Sequence, residues 1–236
     1  MSDTIEITGI LNPPAITDLK DDWPQMTVTV SDAAGQVLGF CSTQVRGSSW
    51  PFRLYLNQQG VNPNALVTLE ARYISGTGAR TELARTTCIM PLSHLALGKL
   101  ELELGAPTGI SPDSPATPTR ENLCTLNGHV VLPAELCQSP VFLYATVILA
   151  EQDGSNNYHY AGNLAEHSLL IKDAKKRAPF SLCIDPNVVP GRKELKLDIR
   201  LYDLEQRTIF AGYVINDLDL TTPPDLSALI LHALRH

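Results

Sequence analysis

The sequence predicts an all-β fold: two tandem antiparallel β-sandwiches of immunoglobulin-like type, closed by a short C-terminal helix. Three observations predict it. Apolar and polar residues alternate in short runs, the signature of half-buried strands. Clusters of Gly, Asn, Asp and Pro separate the runs at sandwich-like spacing. The whole pattern then recurs on the far side of a proline-rich segment.

In chain order, the first half opens on a strand holding Gly9, followed by Pro14-Ala15. Met26, Val28 and Val30 then alternate with Thr27 and Thr29. Asp32 to Gly35 supplies a turn. Phe52, Leu54 and Leu56 mark another strand, which Asn57 to Asn64 ends. Val67, Leu69, Ala71 and Tyr73 line one face of a longer strand, with Thr68, Glu70 and Arg72 on the other. Gly76 to Gly78 closes that run. Such one-sided strands must bury their apolar faces against a second sheet. Each half holds about seven candidate strands, enough for an immunoglobulin-like sandwich of roughly 100 residues.

Residues 106–121 carry four prolines among Ser, Thr and Gly, and read as a linker. They divide the chain into domains at 1–105 and 122–236. The two halves match each other. Pro51 to Ser75 aligns without a gap to Pro179 to Asp203 at a constant spacing of 128 positions. Pro51-Phe52 meets Pro179-Phe180, Leu69 meets Leu197, and Arg72 meets Arg200. Gly9 with Pro14-Ala15 matches Gly128 with Pro133-Ala134, and Val28 and Val30 match Val147 and Leu149. The chain therefore reads as a tandem duplication. In the second half Leu195, Leu197, Ile199 and Leu201 alternate against Lys196, Asp198 and Arg200. At the end, Asp225 reads as an N-cap, with Leu226, Leu229 and Ile230 on one stripe of a helix. That helix either docks on its own domain or acts as a detachable tail for a partner.

The order of these elements resembles the YbaY-like lipoproteins, which share a domain with the YscW-type pilotins of type III secretion. The likeness rests on the opening Gly strand and the Pro-Phe-x-Leu-x-Leu/Ile strand. It also rests on the loops Val61-Asn62-Pro63 and Val189-Pro190, and on Leu69-Glu70-Ala71-Arg72 with Leu197-Asp198-Ile199-Arg200. It covers about 100 residues in each half, consistent with one sandwich per half. The resemblance implies a small sandwich that binds another protein, as pilotins escort secretin subunits, and it implies no catalytic residues. This chain departs from the pattern in carrying two copies. Its Leu38-Gly39-Phe40-Cys41 also follows no apolar leader, so it is not a lipobox.

Composition narrows the function classes. Hydrophobic residues make up 44% and charged residues 18%, which suits a packed core. Lys plus Arg is 18 against 25 Asp plus Glu, a net charge of −7 without basic blocks, so nucleic-acid binding is not expected. No run of apolar residues is long enough for a transmembrane helix. The N-terminus shows no secretory signal and predicts a cytoplasmic chain; removal of a leader would make it periplasmic or envelope-associated.

The five cysteines are odd in number and lack CxxC spacing, so buried free thiols are expected. Cys124 and Cys137 are the one pair placed for a bridge. The six histidines have no metal-ligand spacing and read as solvated, and no cofactor is expected. The acidic pairs Asp21-Asp22 and Asp217 with Asp219 read as solvated, and Gly47-Ser48-Ser49 lacks the pattern of a nucleophile elbow.

The candidate partner-binding residues are Trp23, Trp50, Leu226, Leu229 and Ile230. The second half has no tryptophan in the places of Trp23 and Trp50, so the shared core does not demand them. They are either exposed anchors or packing at a domain rim. The expected function is non-enzymatic: a protein-binding or chaperone-like adaptor with an unidentified protein partner, as a monomer or weak homodimer. The alternative is a small-molecule or lipid binder using a cleft between the halves.

Overall fold

The computed structural model describes residues 4–13, 24–44, 49–57, 62–74, 82–96, 98–104, 123–132, 140–152, 158–172, 177–189, 194–204 and 209–233. The linker expected at 106–121, Trp23, Cys137 and both Pro-Ala pairs lie outside them. The chain is nearly all β. The first half holds β1 (Thr4–Asn12), β2 (Gln25–Ser31), β3 (Val37–Gln44), β4 (Trp50–Asn57), β5 (Leu66–Ile74), β6 (Glu82–Pro91) and β7 (Lys99–Glu103), with a one-turn helix α1 (Leu92–Leu95). The second half holds β8 (Cys124–Val131), β9 (Val141–Gln152), β10 (Tyr158–Ile171), β11 (Arg177–Ile184), β12 (Glu194–Tyr202), β13 (Ile209–Ile215), β14 (Leu229–Ile230) and β15 (His232–Ala233).

The duplication is visible in the pairing. One three-stranded sheet has the order β4-β1-β7 and its counterpart the order β11-β8-β14. In each, the outer two strands flank the first strand of the half, antiparallel on one side and parallel on the other. The remaining strands do not form two sheets. They form one of nine strands, β15-β13-β12-β9-β10-β3-β2-β5-β6, which crosses from one half to the other where β3 pairs with β10. The halves expected as separate domains thus share a backbone hydrogen-bond ladder.

Two apolar cores result. One gathers Ile7 and Leu11 of β1 and Phe52, Leu54 and Leu56 of β4 with Met26, Val28, Val30, Leu69 and Tyr73 of the large sheet. The other gathers Val130, Phe180 and Leu182 with Leu143, Val147, Leu197 and Ile199. The alternation read from the sequence supplies the inward residues in both.

The repeated residues have a packing reason. Gly9 lies opposite Phe52 in the β1–β4 ladder, and Gly128 lies opposite Phe180 in the β8–β11 ladder. In each case the phenyl ring occupies the space above the glycine. A Cβ on Gly9 would fall 2.6 Å from the Phe52 ring, and one on Gly128 would fall 2.6 Å from Phe180 Cε1 and 2.8 Å from the Leu226 carbonyl oxygen. Pro51 and Pro179 precede these rings on β4 and β11, the two edge strands that face each other across the molecule. Proline has no N–H to donate to a new neighbour, which fits two facing edges that do not zip together.

The ladder corrects one detail of the repeat. Val28 lies opposite Ala71, whereas Val147 lies opposite Leu197. Leu197 is the counterpart of Leu69, whose partner is Val30. Val147 therefore matches Val30, and Ala145 matches Val28; the loop before β9 is two residues shorter.

The C-terminal helix is not formed. The segment runs extended, with β14 parallel to β8 and β15 antiparallel to β13. Asp225 accepts the Ser227 N–H at 2.9 Å in a local turn, which holds its carboxyl below the usual carboxylate range, and it caps no helix. Leu226, Leu229 and Leu231 are buried in the second core and Ile230 is 60% exposed. The physical reason is the free edge of β8. An extended segment pairs with that edge and buries three leucines, and the Leu226 carbonyl accepts the His129 N–H at 2.9 Å. Leu229→Ala is expected to cost about 2 kcal/mol in a urea titration, as a core truncation does. A dispensable tail would cost nothing measurable.

Candidate functional site at the seam between the halves

Cys41 of β3 lies opposite Val28, and His167 of β10 lies opposite Ala145. Val28 and Ala145 are counterparts, so Cys41 and His167 are as well, and they lie opposite each other in the β3–β10 ladder. Equivalent strands that pair antiparallel through equivalent residues generate a local two-fold axis, as in an isologous dimer interface. The halves meet as two subunits would.

The axis passes through an unusual group of buried polar side chains. His167 is fully buried, neither ring nitrogen has a hydrogen-bond partner, and desolvation pushes its pKa down to about 3. Its ring meets Tyr55 edge-on at 5.8 Å. Thr43 donates its hydroxyl to the Cys183 carbonyl at 2.6 Å, tying β3 to β11. Burial pushes the Cys41 thiol up, and pushes Cys183 up to about 11, with a smaller opposing effect from the Trp50 indole.

Above this group, between the facing edges of β4 and β11, lies a cavity of about 300 Å³. Cys41, Trp50, Phe52 and Lys99 line it from the first half, and Ser181 and Cys183 from the second. A second depression of about 270 Å³, lined by Ile10, Ser49 and Leu123, shares Pro51, Lys99 and Thr125 with the cavity and extends it. Trp50 is 1% exposed, and its indole nitrogen has no hydrogen bond of ordinary geometry. The indole is in reach of the Cys183 sulfur, a weak acceptor at best. The cavity therefore presents a buried, unsatisfied donor, an apolar wall, the two cations Lys99 and Arg53 and the single carboxylate of Glu166, a net positive lining.

The structure scatters the residues singled out from sequence. Trp50 is not an exposed anchor: it packs against Phe52, with ring centroids 6.0 Å apart, and lines the cavity from within the core. Leu226 and Leu229 belong to the other core, and only Ile230 reaches the surface. His167, expected to be solvated, is buried. Its signal was the alternation Ala165, His167, Leu169, Ile171, which places it on the inward face. Cys41 and Cys183 are buried as expected of free thiols, whereas Cys88 and Cys124 are half-buried; the meeting of Cys41, Thr43 and Cys183 had no sequence signal, because it depends on contacts across the duplication.

Cys41, Cys88, Cys124 and Cys183 are free thiols. Among the described residues, no group of three or more His, Cys, Asp and Glu is arranged to hold a metal ion, and no helix is long and apolar enough to cross a membrane.

No known family model matches the chain, and no curated protein does. Among solved structures, a putative adhesin from Bacteroides ovatus aligns over 88% of this chain and 76% of its own, at 8% identity and a TM-score of 0.23.

Proposed function

We propose that the chain is a non-enzymatic binding protein, built from two fused YbaY-like β-sandwiches, that holds a small amphipathic molecule in the seam between them. The observation that carries this reading is the seam cavity with the unpaired Trp50 N–H. An unsatisfied buried donor costs about 1–3 kcal/mol, and a ligand oxygen would relieve that cost. Lys99 favours a negatively charged head group, and Phe52, Ile10 and Leu123 suit an aliphatic tail.

The test uses dodecanoate and the intact chain. Native mass spectrometry is expected to show one dodecanoate per chain. Occupancy is expected to slow iodoacetamide labelling of Cys183 at about pH 8 without changing that of Cys88, which lies outside the cavity. Trp50→Phe keeps a ring and removes the donor, and is expected to weaken binding about tenfold. Absence of an adduct, or an adduct that leaves Cys183 unprotected, would overturn the reading.

A second reading, the protein-binding adaptor, has one observation in its favour. Among the described residues nothing pairs with the outer edge of the ten-residue strand β6, whereas its counterpart β13 is covered by β15. Ile89 and Leu66 are 67% and 56% exposed near that edge. Such an edge accepts an extended peptide as an added strand. A pull-down with the intact chain and with Thr87→Pro, which blunts the edge, tests it: a partner held equally by both would sink this reading.

A further inference from the structure

The outward face of the large sheet carries a depression of about 470 Å³ across β9, β10 and β12, which shares Glu166 with the seam cavity and is otherwise lined by its own residues. Tyr144 and Tyr202 line it together with Asn163, Glu166, Asp198 and Arg200. The two tyrosine rings meet edge-on, with centroids 5.3 Å apart at 85°. Arg200 grips both oxygens of Asp198 from its Nε at 2.9 Å. Glu166 accepts the Ser42 hydroxyl at 3.0 Å and a hydrogen bond from the Asn163 amide.

The duplication provides an internal comparison. Asp198 and Arg200 correspond to Glu70 and Arg72, so the acid–arginine pair is common to both halves. The aromatic rings are not. Tyr144 lies opposite Arg200 as Thr27 lies opposite Arg72, and Tyr202 takes the place of Ile74. Glu166 lies opposite Ser42 as Phe40 lies opposite Ser168, so Phe40 stands where the second half has Glu166.

The charges differ too. In the first half Arg72 and Arg85 bridge Glu70 and Glu82 into a closed ion-pair network. Gly212 replaces Arg85 opposite Arg200, and a Cβ there would meet only the Ile199 carbonyl, at 3.4 Å. The second half shares the acid–arginine pair, shows no such network among the described residues, and carries two phenol rings and a carboxylate where the first half has Thr27, Ile74 and Phe40.

We infer that this depression is a saccharide-binding site. A sugar ring has an apolar C–H face and a rim of hydroxyls that both donate and accept. Tyrosine supplies a flat apolar surface with a polar tip. Glu166 and Asp198 accept, while the Arg200 N–H groups and the Asn163 amide donate. Arg200 neutralises Asp198, and Glu166 leaves the lining with one net negative charge, which disfavours an anion and leaves acceptors for the hydroxyls of a neutral polyhydroxylated ligand. A volume of about 470 Å³ falls in the range of small-molecule pockets.

Maltose, cellobiose and N,N′-diacetylchitobiose, titrated into the intact chain with saturation-transfer NMR and calorimetry, test the assignment. At least one is expected to bind saturably. Tyr144→Ala and the isosteric Glu166→Gln are each expected to weaken it about tenfold or more, with the thermal midpoint as a check on folding. Arg85→Ala in the first half and Trp50→Phe at the seam are expected to leave it unchanged. Failure of all three sugars to bind overturns the inference. So does binding that survives both Tyr144→Ala and Glu166→Gln, and so does a site that takes choline but no sugar.

Discussion

Lowering the pH from neutrality to about 4.5 is expected to cost the protein roughly 2–3 kcal/mol of stability through one side chain, His167. The imidazole is fully buried on the local two-fold axis, with neither nitrogen hydrogen-bonded, and its pKa falls from 6.5 to about 3. An unfolded chain takes up a proton there below about pH 6.5; the folded chain refuses it. The unfolded state therefore binds more protons throughout this window, and stability falls with pH at up to about 1.4 kcal/mol per unit. The full loss, reached as pH falls through about 3, is on the order of 5 kcal/mol.

The neighbours that face this ring do not offset the effect. Tyr55 and Cys41 both have their pKa values raised by burial and remain neutral. Asp219 titrates lower, at about 2, because Thr222 and Thr221 donate to its carboxylate, so it does not confuse readings near pH 4.5. Urea unfolding of the parent and of His167→Leu, each at about pH 7 and pH 4.5, decides the matter. The variant is expected to flatten the pH dependence and to gain stability at neutrality, since it removes two unpaired buried nitrogens. An equal slope in both proteins would mean that the imidazole is not the acid-sensitive group.

Gly128→Ala is expected to destabilise the protein by about 3 kcal/mol, near the upper end for an overpacked core. Its methyl group would meet Phe180 Cε1 at 2.6 Å, with Cζ nearer still, on one side and the Leu226 carbonyl at 2.8 Å on the other. The ring is fully buried and the carbonyl is held by the His129 N–H, so neither has room to move. Phe180→Leu would open space beside the new methyl. The double variant is therefore expected to be more stable than the sum of the single losses predicts, by about 1–2 kcal/mol in a mutant cycle. Gly9 and Phe52 repeat the experiment in the other half. Additive losses at both sites would show that the glycines are not kept for these rings.

Much of the strand content was legible because alternation is local. Met26, Val28 and Val30 face the core whatever the rest of the chain does, since successive side chains in a strand point to opposite faces. The duplication was legible for a related reason: Gly9 with Phe52 and Gly128 with Phe180 are side-chain constraints that each copy must satisfy alone. The tail misled because Asp225, Leu226, Leu229 and Ile230 satisfy helix periodicity. Pairing with the free edge of β8 and burial of three leucines outweigh that weak local preference.

The candidate sites were almost illegible. Trp50 was singled out for lacking a counterpart, and it does line the seam cavity, but from inside the core. Of its cavity partners, Lys99 and Cys183 stand far from it in sequence, and Cys41, nine residues away, reaches the cavity from a different sheet. Tyr144, Glu166 and Arg200 converge only because β9 lies between β10 and β12.

The amino-acid sequence by itself determined an acidic, nearly all-β chain with a repeated unit and the inward face of most strands. Those properties follow from side-chain chemistry read over a few residues. Only the tertiary structure decided that β3 joins β10, that one sheet runs through both halves, and that a cavity opens between β4 and β11. The backbone groups that pair strands are the same in every residue, so which edge meets which is written in no single segment. It is settled by which arrangement buries the most apolar surface and leaves the fewest polar groups unpaired.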